Sequence, residues 1–223
     1  MKKKINVFGI ELDSVSAKEA MKLIIQYLES ETIRTVEVVT LEMLMQEQEH
    51  PEWKEQVQKM DLVLPCEKEI LEVSGICDKS MIKDLENKTL LKMLFKYLQK
   101  NRKKVFLLAE REEELLPLRE ILAQSGRPFL VVGQAVLPEE GDRKDNVINE
   151  INGLEPDCII SNLSCPWQEK FISESSALLN ARVWLGCGPV IQKEFGKKTA
   201  GKIKRFFVKR FFCYLVEKQQ KEE

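Results

Sequence analysis

The stretch "PDCIISNLSCPWQEKFI", Pro156 to Ile172, decides the fold. Its "CII" belongs to a short apolar run and reads as part of a buried strand. The chain then leaves the core through Ser161, Asn162, Ser164 and Cys165. Pro166 stands at the first turn of a following helix, where a missing N–H is tolerated. A buried strand that passes within a few residues into a helix is a βα unit. In open α/β sheets the ligand crevice lies at the carboxyl ends of the strands. Trp167, Gln168 and Glu169 therefore open a helix at the edge where function is expected.

Outward from this unit the same alternation repeats. "RTVEVVT" (Arg34–Thr40), "DLVLP" (Asp61–Pro65), "KVFLLA", "PFLVVG" and "RVWLGCG" read as strands, and "INVFGIEL" as a strand or the start of a hairpin. "SAKE", Ser16 to Glu19, is a capping box, and Ala17, Ala20, Met21, Ile24, Ile25 and Leu28 then share one helical face. "LEMLMQEQ" and "PEWKEQVQKM" predict two short helices, the second opened by Pro51. A helix near Glu67–Val73 gives way to a polar loop. "NKTLLKMLFKYLQKNR" (Asn87–Arg102), "EREEELLPLREILAQSG" and "KDNVINEINGL" predict three more helices. Strands alternating with helices imply a largely parallel sheet with helices on both faces, a Rossmann-like three-layer α/β fold. One domain is expected over residues 1–196, followed by a basic amphipathic segment over 197–223.

Composition narrows the function. The chain has 223 residues, 43% of them hydrophobic, and a formal net charge of −1. No overall field points to nucleic acid. The charge is uneven, however: Lys197 to Arg210 holds seven Lys or Arg and no acid. Six cysteines without a C-x-x-C pair, and a single His, give no zinc spacing, so no metal or cofactor is expected. The apolar run at the N-terminus is short for a signal peptide, and no window is apolar enough for a membrane span. Reduced thiols in a cytoplasmic protein are the expectation.

No G-x-G-x-x-G, P-loop or G-x-S-x-G occurs. His50, in "QEHPEW", reads as a surface cap or turn residue. Cys66 follows the strand "DLVLP" and so sits at a carboxyl end. A thiol there is a nucleophile if its pKa is lowered, and a structural core residue otherwise. Gly186 and Gly188 in "WLGCG" let backbone approach a ligand closely; a plain tight turn fits the same spacing.

Taken in order, these segments resemble the WecG/TagA/CpsF family of bacterial glycosyltransferases over nearly the whole chain. The segments that carry the likeness are "VFGIELDSVSAKEAMKLI", "VVTLEMLM", "HPEWKEQVQKMDLVLPCE", "KKVFLLAEREE", "PDCIISNLSCPWQEKFI" and "VWLGCGPVIQKEFGKK". The resemblance implies transfer of N-acetylmannosamine or a related sugar from a UDP donor to a polyprenyl-diphosphate-linked acceptor, in cell-surface polysaccharide synthesis. It implies that Gln168, with Glu169 beside it, borders the sugar nucleotide. Thr40, Glu42, Ser164, Gly186 and Gly188 would line the same substrate site.

The family's proposed base, the Asp of a "P-D-G" motif, is here Cys66, with Glu67 next to it. Val38, Thr40 and Leu41 stand where the family has Thr, Asn and Pro, and Glu42 matches. An ungapped count puts Asp84 where the family has an Arg, and an acid repels a diphosphate. Val190 and Ile191 replace a "F-D" pair. Two readings follow. One is an active enzyme with Cys66 or Glu67 at the reaction centre. The other is an inactive member that binds a ligand or a partner glycosyltransferase. In both, Cys66, Gln168, the loop Ser161–Cys165 and Gly186–Gly188 are expected around one polar pocket.

"KKTAGKIKRFFVKRFFCYLVEK" reads as a helix with Ile203, Phe206, Phe207, Phe211, Tyr214 and Leu215 on one face. That face can pack on the domain. Lys202, Lys204, Arg205, Lys209 and Arg210 flank it and suit an anionic membrane surface. A peripheral position at the inner face of the cell membrane is the corresponding expectation.

Overall fold

A computed structural model describes residues 3–47, 50–123, 128–187, 190–191, 212 and 215–216. The chain opens with a hairpin, β1 (Lys3–Val7) and β2 (Ile10–Ser14), whose register pairs Val7 with Ile10. Phe8 and Gly9 form the two-residue turn, both at positive φ, 53° and 81°. This is the geometry that matches the twist of the flanking strands. The capping box then starts α1 (Ala17–Tyr27): Ser16 Oγ accepts from the Glu19 amide and the Glu19 carboxylate accepts from the Ser16 amide.

The elements that follow are β3 (Arg34–Val39), α2 (Leu41–Glu47), α3 (Pro51–Gln58), β4 (Leu62–Pro65), α4 (Lys68–Val73), α5 (Lys79–Glu86) and α6 (Thr89–Lys100). Then come β5 (Lys104–Ala109), α7 (Glu112–Ala123), β6 (Leu130–Val136), α8 (Lys144–Leu154), β7 (Cys158–Asn162), α9 (Trp167–Ser175) and β8 (Val183–Gly186). Strands β3 to β8 form one sheet in the order β4-β3-β8-β7-β5-β6, and every pairing is parallel. The hairpin covers the β4 edge, where Asp13 Oδ2 accepts from the Val63 amide at 2.9 Å. A side chain thus satisfies an edge donor that would otherwise invite another strand.

Alternation along each strand divides the core. Val36, Val38, Leu62, Leu64, Leu107, Ile160 and Leu185 meet the apolar stripes of α1, α6 and α7 on one face. Val39 and Val63 meet α3 and α4 on the other face, where Phe106, Leu108, Ile159 and Trp184 meet α8 and α9. The three-layer α/β expectation is met. Two aspartates staple the amino ends of the strands. Asp61 accepts from the Thr35 amide and Arg34, and Asp157 from the Lys104 amide and Lys103.

The predicted polar loop after α4 is in fact a helix, α5. Asp78 caps it through the Ser80 and Met81 amides. Met81, Ile82 and Leu85 form a short apolar face that is only half-buried, too short to stand out among the polar residues around it. The helix predicted over Asn87–Arg102 starts later, at Thr89, because Lys88 takes a left-handed backbone at φ 53° and turns the chain out of α5.

Three residues of the basic segment are described. Phe212 is fully buried and meets Phe8 edge-on at 5.6 Å; Val216 is buried and Leu215 packs beside them. Phe211 and Tyr214, and the basic residues Lys202, Lys204, Arg205, Lys209 and Arg210, lie outside the described residues, as does the boundary at residue 196. No helix among the described residues is long and apolar enough to cross a membrane.

Candidate functional site

Parallel strands put all their carboxyl ends on one edge. There Thr40, Cys66, Glu110, Ser161–Ser164 and Gly186–Cys187 come together from β3, β4, β5, β7 and β8. The chain leaves β3 toward α3 on one face of the sheet, while Val190 and Ile191, after β8, lie in the core of the opposite face. Neighbouring strands whose continuations part in this way leave a crevice between them.

On the α1 and α6 side of that edge lies a cavity of about 60 Å³, lined by Val15, Ala20, Leu64, Met81, Leu91 and Val190 among other apolar groups. Cys66, Asp84, Lys88 and Thr89 add polar atoms to its lining. Lys88 donates to the Cys66 carbonyl at 3.0 Å and lies 3.7 Å from the Cys66 thiol. Asp84 Oδ2 accepts from the Ala17 amide at 3.2 Å, at the positive end of α1.

The other residues predicted at β3 and β4 serve helix starts. The Glu67 carboxylate accepts from the Leu41 amide at 3.2 Å, and the Thr40 hydroxyl accepts from the Met43 amide at 3.1 Å. Both therefore bind orphan amides in the first turn of α2. Glu42 is half-buried in the same turn.

Gln168 and Glu169 lie elsewhere. They are 2% and 0% exposed, on the α9 side of the sheet. Gln168 Nε2 donates to Glu37 Oε1 at 2.9 Å. Glu37 sits between Val36 and Val38, and strand alternation turns it away from the cavity that Val38 lines. The single polar pocket expected around Cys66, Gln168 and the β7 loop is thus divided by the sheet. Gly186 is the third member of the buried cluster: a Cβ there would lie 2.0 Å from Glu37 Oε2. Trp167 packs with Phe171 and donates to the Leu137 carbonyl. Ser164 is exposed and both its amide and hydroxyl donate to Glu110. Gly188 lies outside the described residues.

Burial pushes the Glu37 carboxyl well above its ordinary 4.5, and the neighbouring Glu169 charge adds to this; hydrogen bonds from Val38 and Gln168 oppose it. Between 4.5 and the raised value the unfolded chain has lost a proton that the folded chain keeps, so stability falls as pH rises. Its full contribution is present below 4.5. Glu37→Gln is expected to flatten this slope, which is at most about 1.4 kcal/mol per pH unit for one group. Urea midpoints from pH 4 to 9 check it; parallel curves for the two proteins would contradict the assignment.

Burial also holds the Cys158 thiol up at about 12 and pushes the Cys187 thiol well above its ordinary value, so neither ionises readily to a nucleophile. Cys66, Cys77, Cys158, Cys165 and Cys187 are all free thiols. Among the described residues no group of three or more His, Cys, Asp or Glu could hold a metal ion.

A parallel six-stranded sheet with helices on both faces and a crevice at its switch point defines an α/β protein of the Rossmann-like class. The model of the glycosyl transferase WecG/TagA/CpsF family matches residues 5–204. The chain belongs to that family. No curated protein matches it.

Two residues of this edge escape the sequence reading. An acid inside the β-branched run "RTVEVV" was the available sign of Glu37, since a buried strand seldom carries a carboxylate. Lys88 gave no sign, because its position depends on how α5 folds back.

Proposed function

We propose that this protein serves cell-surface polysaccharide synthesis, at the transfer of N-acetylmannosamine or a related sugar from a UDP donor to a polyprenyl-diphosphate-linked acceptor. Its own turnover of that step is weak or absent, and its role is to bind a ligand or a partner glycosyltransferase at the membrane. One observation carries this reading: the end of β4 presents no family-like base. Cys66 stands where the resemblance puts the family's base, and the Glu67 carboxylate accepts from the Leu41 amide in α2. A general base must reach the acceptor hydroxyl within hydrogen-bond distance.

Purified wild-type chain, with UDP-N-acetylmannosamine and a prenyl-diphosphate-linked acceptor, is expected to turn over about 10²–10⁴-fold more slowly than a member that keeps the base. Cys66→Asp should raise the rate, and Glu67→Gln should leave it unchanged. Robust wild-type turnover abolished by Glu67→Gln would place the base at Glu67 and sink the reading. Chelators should have no effect, since transfer here is proposed to need no metal. Donor binding is read separately: UDP-N-acetylhexosamine at one hundred times its Kd stabilises the fold by about 2.7 kcal/mol.

A second reading, an active enzyme of altered specificity, is favoured by the ammonium of Lys88. It stands beside Cys66 at the edge where a leaving diphosphate would need positive charge.

A further inference from the structure

A thiol and an ammonium meet at the end of β4. Lys88 Nζ lies 3.7 Å from Cys66 Sγ and donates to the Cys66 carbonyl at 3.0 Å, so two contacts hold it over the residue. Lys88 stands on a left-handed backbone, φ 53°, where α5 gives way to α6. A cation beside a thiol favours the thiolate, which is the form that attacks an oxidant. Both residues line the cavity of about 60 Å³. One water needs about 10–15 Å³ of such space, so a molecule the size of hydrogen peroxide fits. Cys66 itself is 5% exposed, which keeps bulky reagents from it.

A cysteine oxidised to the sulfenic acid is trapped by whichever nucleophile stands beside it. Cys187 shares the apolar cluster of Cys66. The order β4-β3-β8 puts a whole strand between them, however. Two strand spacings make roughly 10 Å, beyond the roughly 7 Å between Cα atoms that a disulfide spans. Burial also pushes the Cys187 thiol well above its ordinary value. The Lys88 amine is already at 3.7 Å.

We infer that Cys66 and Lys88 form a peroxide-responsive pair, which oxidation joins by a sulfur–nitrogen bond. The Cys66 thiolate attacks one oxygen of hydrogen peroxide. The O–O bond breaks, sulfur is oxidised to the sulfenic acid and the other oxygen leaves as water. The Lys88 amine, having given its extra proton to solvent, then attacks sulfur. An S–N bond forms, the S–O bond breaks, and the hydroxyl leaves as water with a proton from the nitrogen. One thiol, one amine and one peroxide thus give the link and two waters. The link closes the chain between residues 66 and 88 and removes both the thiol and the cation from the β4 end. An added dithiol reverses it, regenerating thiol and amine as the dithiol becomes a disulfide. The inference goes beyond the functional reading and holds for an active or an inactive chain.

Full-length reduced protein is treated with hydrogen peroxide, remaining thiols are blocked with N-ethylmaleimide, and peptides are read by mass spectrometry. The expected product is the Cys66 peptide joined to the Lys88 peptide, two hydrogens lighter than their sum and released by dithiothreitol. Lys88→Arg keeps the cation but supplies no amine, so Cys66 should stop at the sulfenic acid and be tagged by dimedone. Lys88→Met loses both. No link should form, and dimedone tagging of Cys66 should be about tenfold slower than in Lys88→Arg, as for one lost charge-assisted hydrogen bond. Oxidation of the exposed Cys77 should be the same in all three proteins. Melting of the untreated variants shows that they are folded, and the wild-type product needs neither. Wild-type Cys66 that ends in a disulfide, in a link to a different lysine, or in sulfenic and sulfinic acids alone overturns the inference. So does tagging in Lys88→Met at the Lys88→Arg rate, or a Cys66 that stays reduced while Cys77 is consumed.

Discussion

Replacing Gly186 by alanine is expected to destabilise the fold by about 3 kcal/mol or more, the upper range for forcing extra volume into a packed core. The new Cβ would lie 2.0 Å from Glu37 Oε2 and 2.8 Å from Gln168 Nε2. Glu37 is the register partner of Gly186 across β3 and β8, so the overlap is built into the sheet. Neither neighbour is the loose end of a surface side chain: both are buried, and they are hydrogen-bonded to each other. Pushing them apart breaks that bond and strands polar atoms, which adds about 1–3 kcal/mol. For a domain of this size the melting temperature should fall by roughly 10 °C. The cause is separable from a general dislike of alanine. In a Glu37→Ala background the obstructing carboxylate is gone, and Gly186→Ala should then cost less, with a coupling of about 2 kcal/mol. Additive effects in this cycle would mean that Glu37 is not what the glycine makes room for.

The second large effect is at the other end of the chain. Phe212→Ala is expected to cost about 3–5 kcal/mol, because a fully buried ring leaves a cavity that its surroundings fill only in part. Phe212 stands edge-on to Phe8 at the hairpin turn, and Leu215 and Val216 pack into the same cluster. A chain cut after Gly196 loses all three side chains and should be less stable still. Urea unfolding checks both; a loss under about 1 kcal/mol for Phe212→Ala would mean the ring is not part of the core.

Truncation would remove core residues along with charge. Neutralising Lys202, Lys204, Arg205, Lys209 and Arg210 keeps Phe212 in place, and each charge is worth roughly 1 kcal/mol at an anionic surface. The neutralised protein should stay in solution with anionic vesicles at low salt, while the wild type pellets. Equal pelleting of the two would remove the basic cluster from any membrane role.

The order of strands and helices, the parallel sheet and the capping box at Ser16 were legible without coordinates. Each depends on short-range pattern: short continuous apolar runs, 3.6-residue stripes and a Ser–Glu spacing of three. Family membership was legible for the same reason, since it rests on ordered segments. The helix α5 was not, because it is only eight residues long, holds three apolar side chains and buries none of them fully.

The site itself was legible only as an edge. That Cys66 and the β7 loop lie at one end of the sheet follows from parallel strands. Which face each side chain takes does not follow from their being near each other in the crevice. Glu37 and Val38 are neighbours in sequence, yet one meets Gln168 behind the sheet and the other lines the cavity in front. Lys88 reaches Cys66 across 22 residues only because α5 folds back over β4. Local pattern determined which residues stand at the functional edge. Tertiary packing decided which of them share a cavity, because contact between distant segments depends on how whole elements are laid against one another.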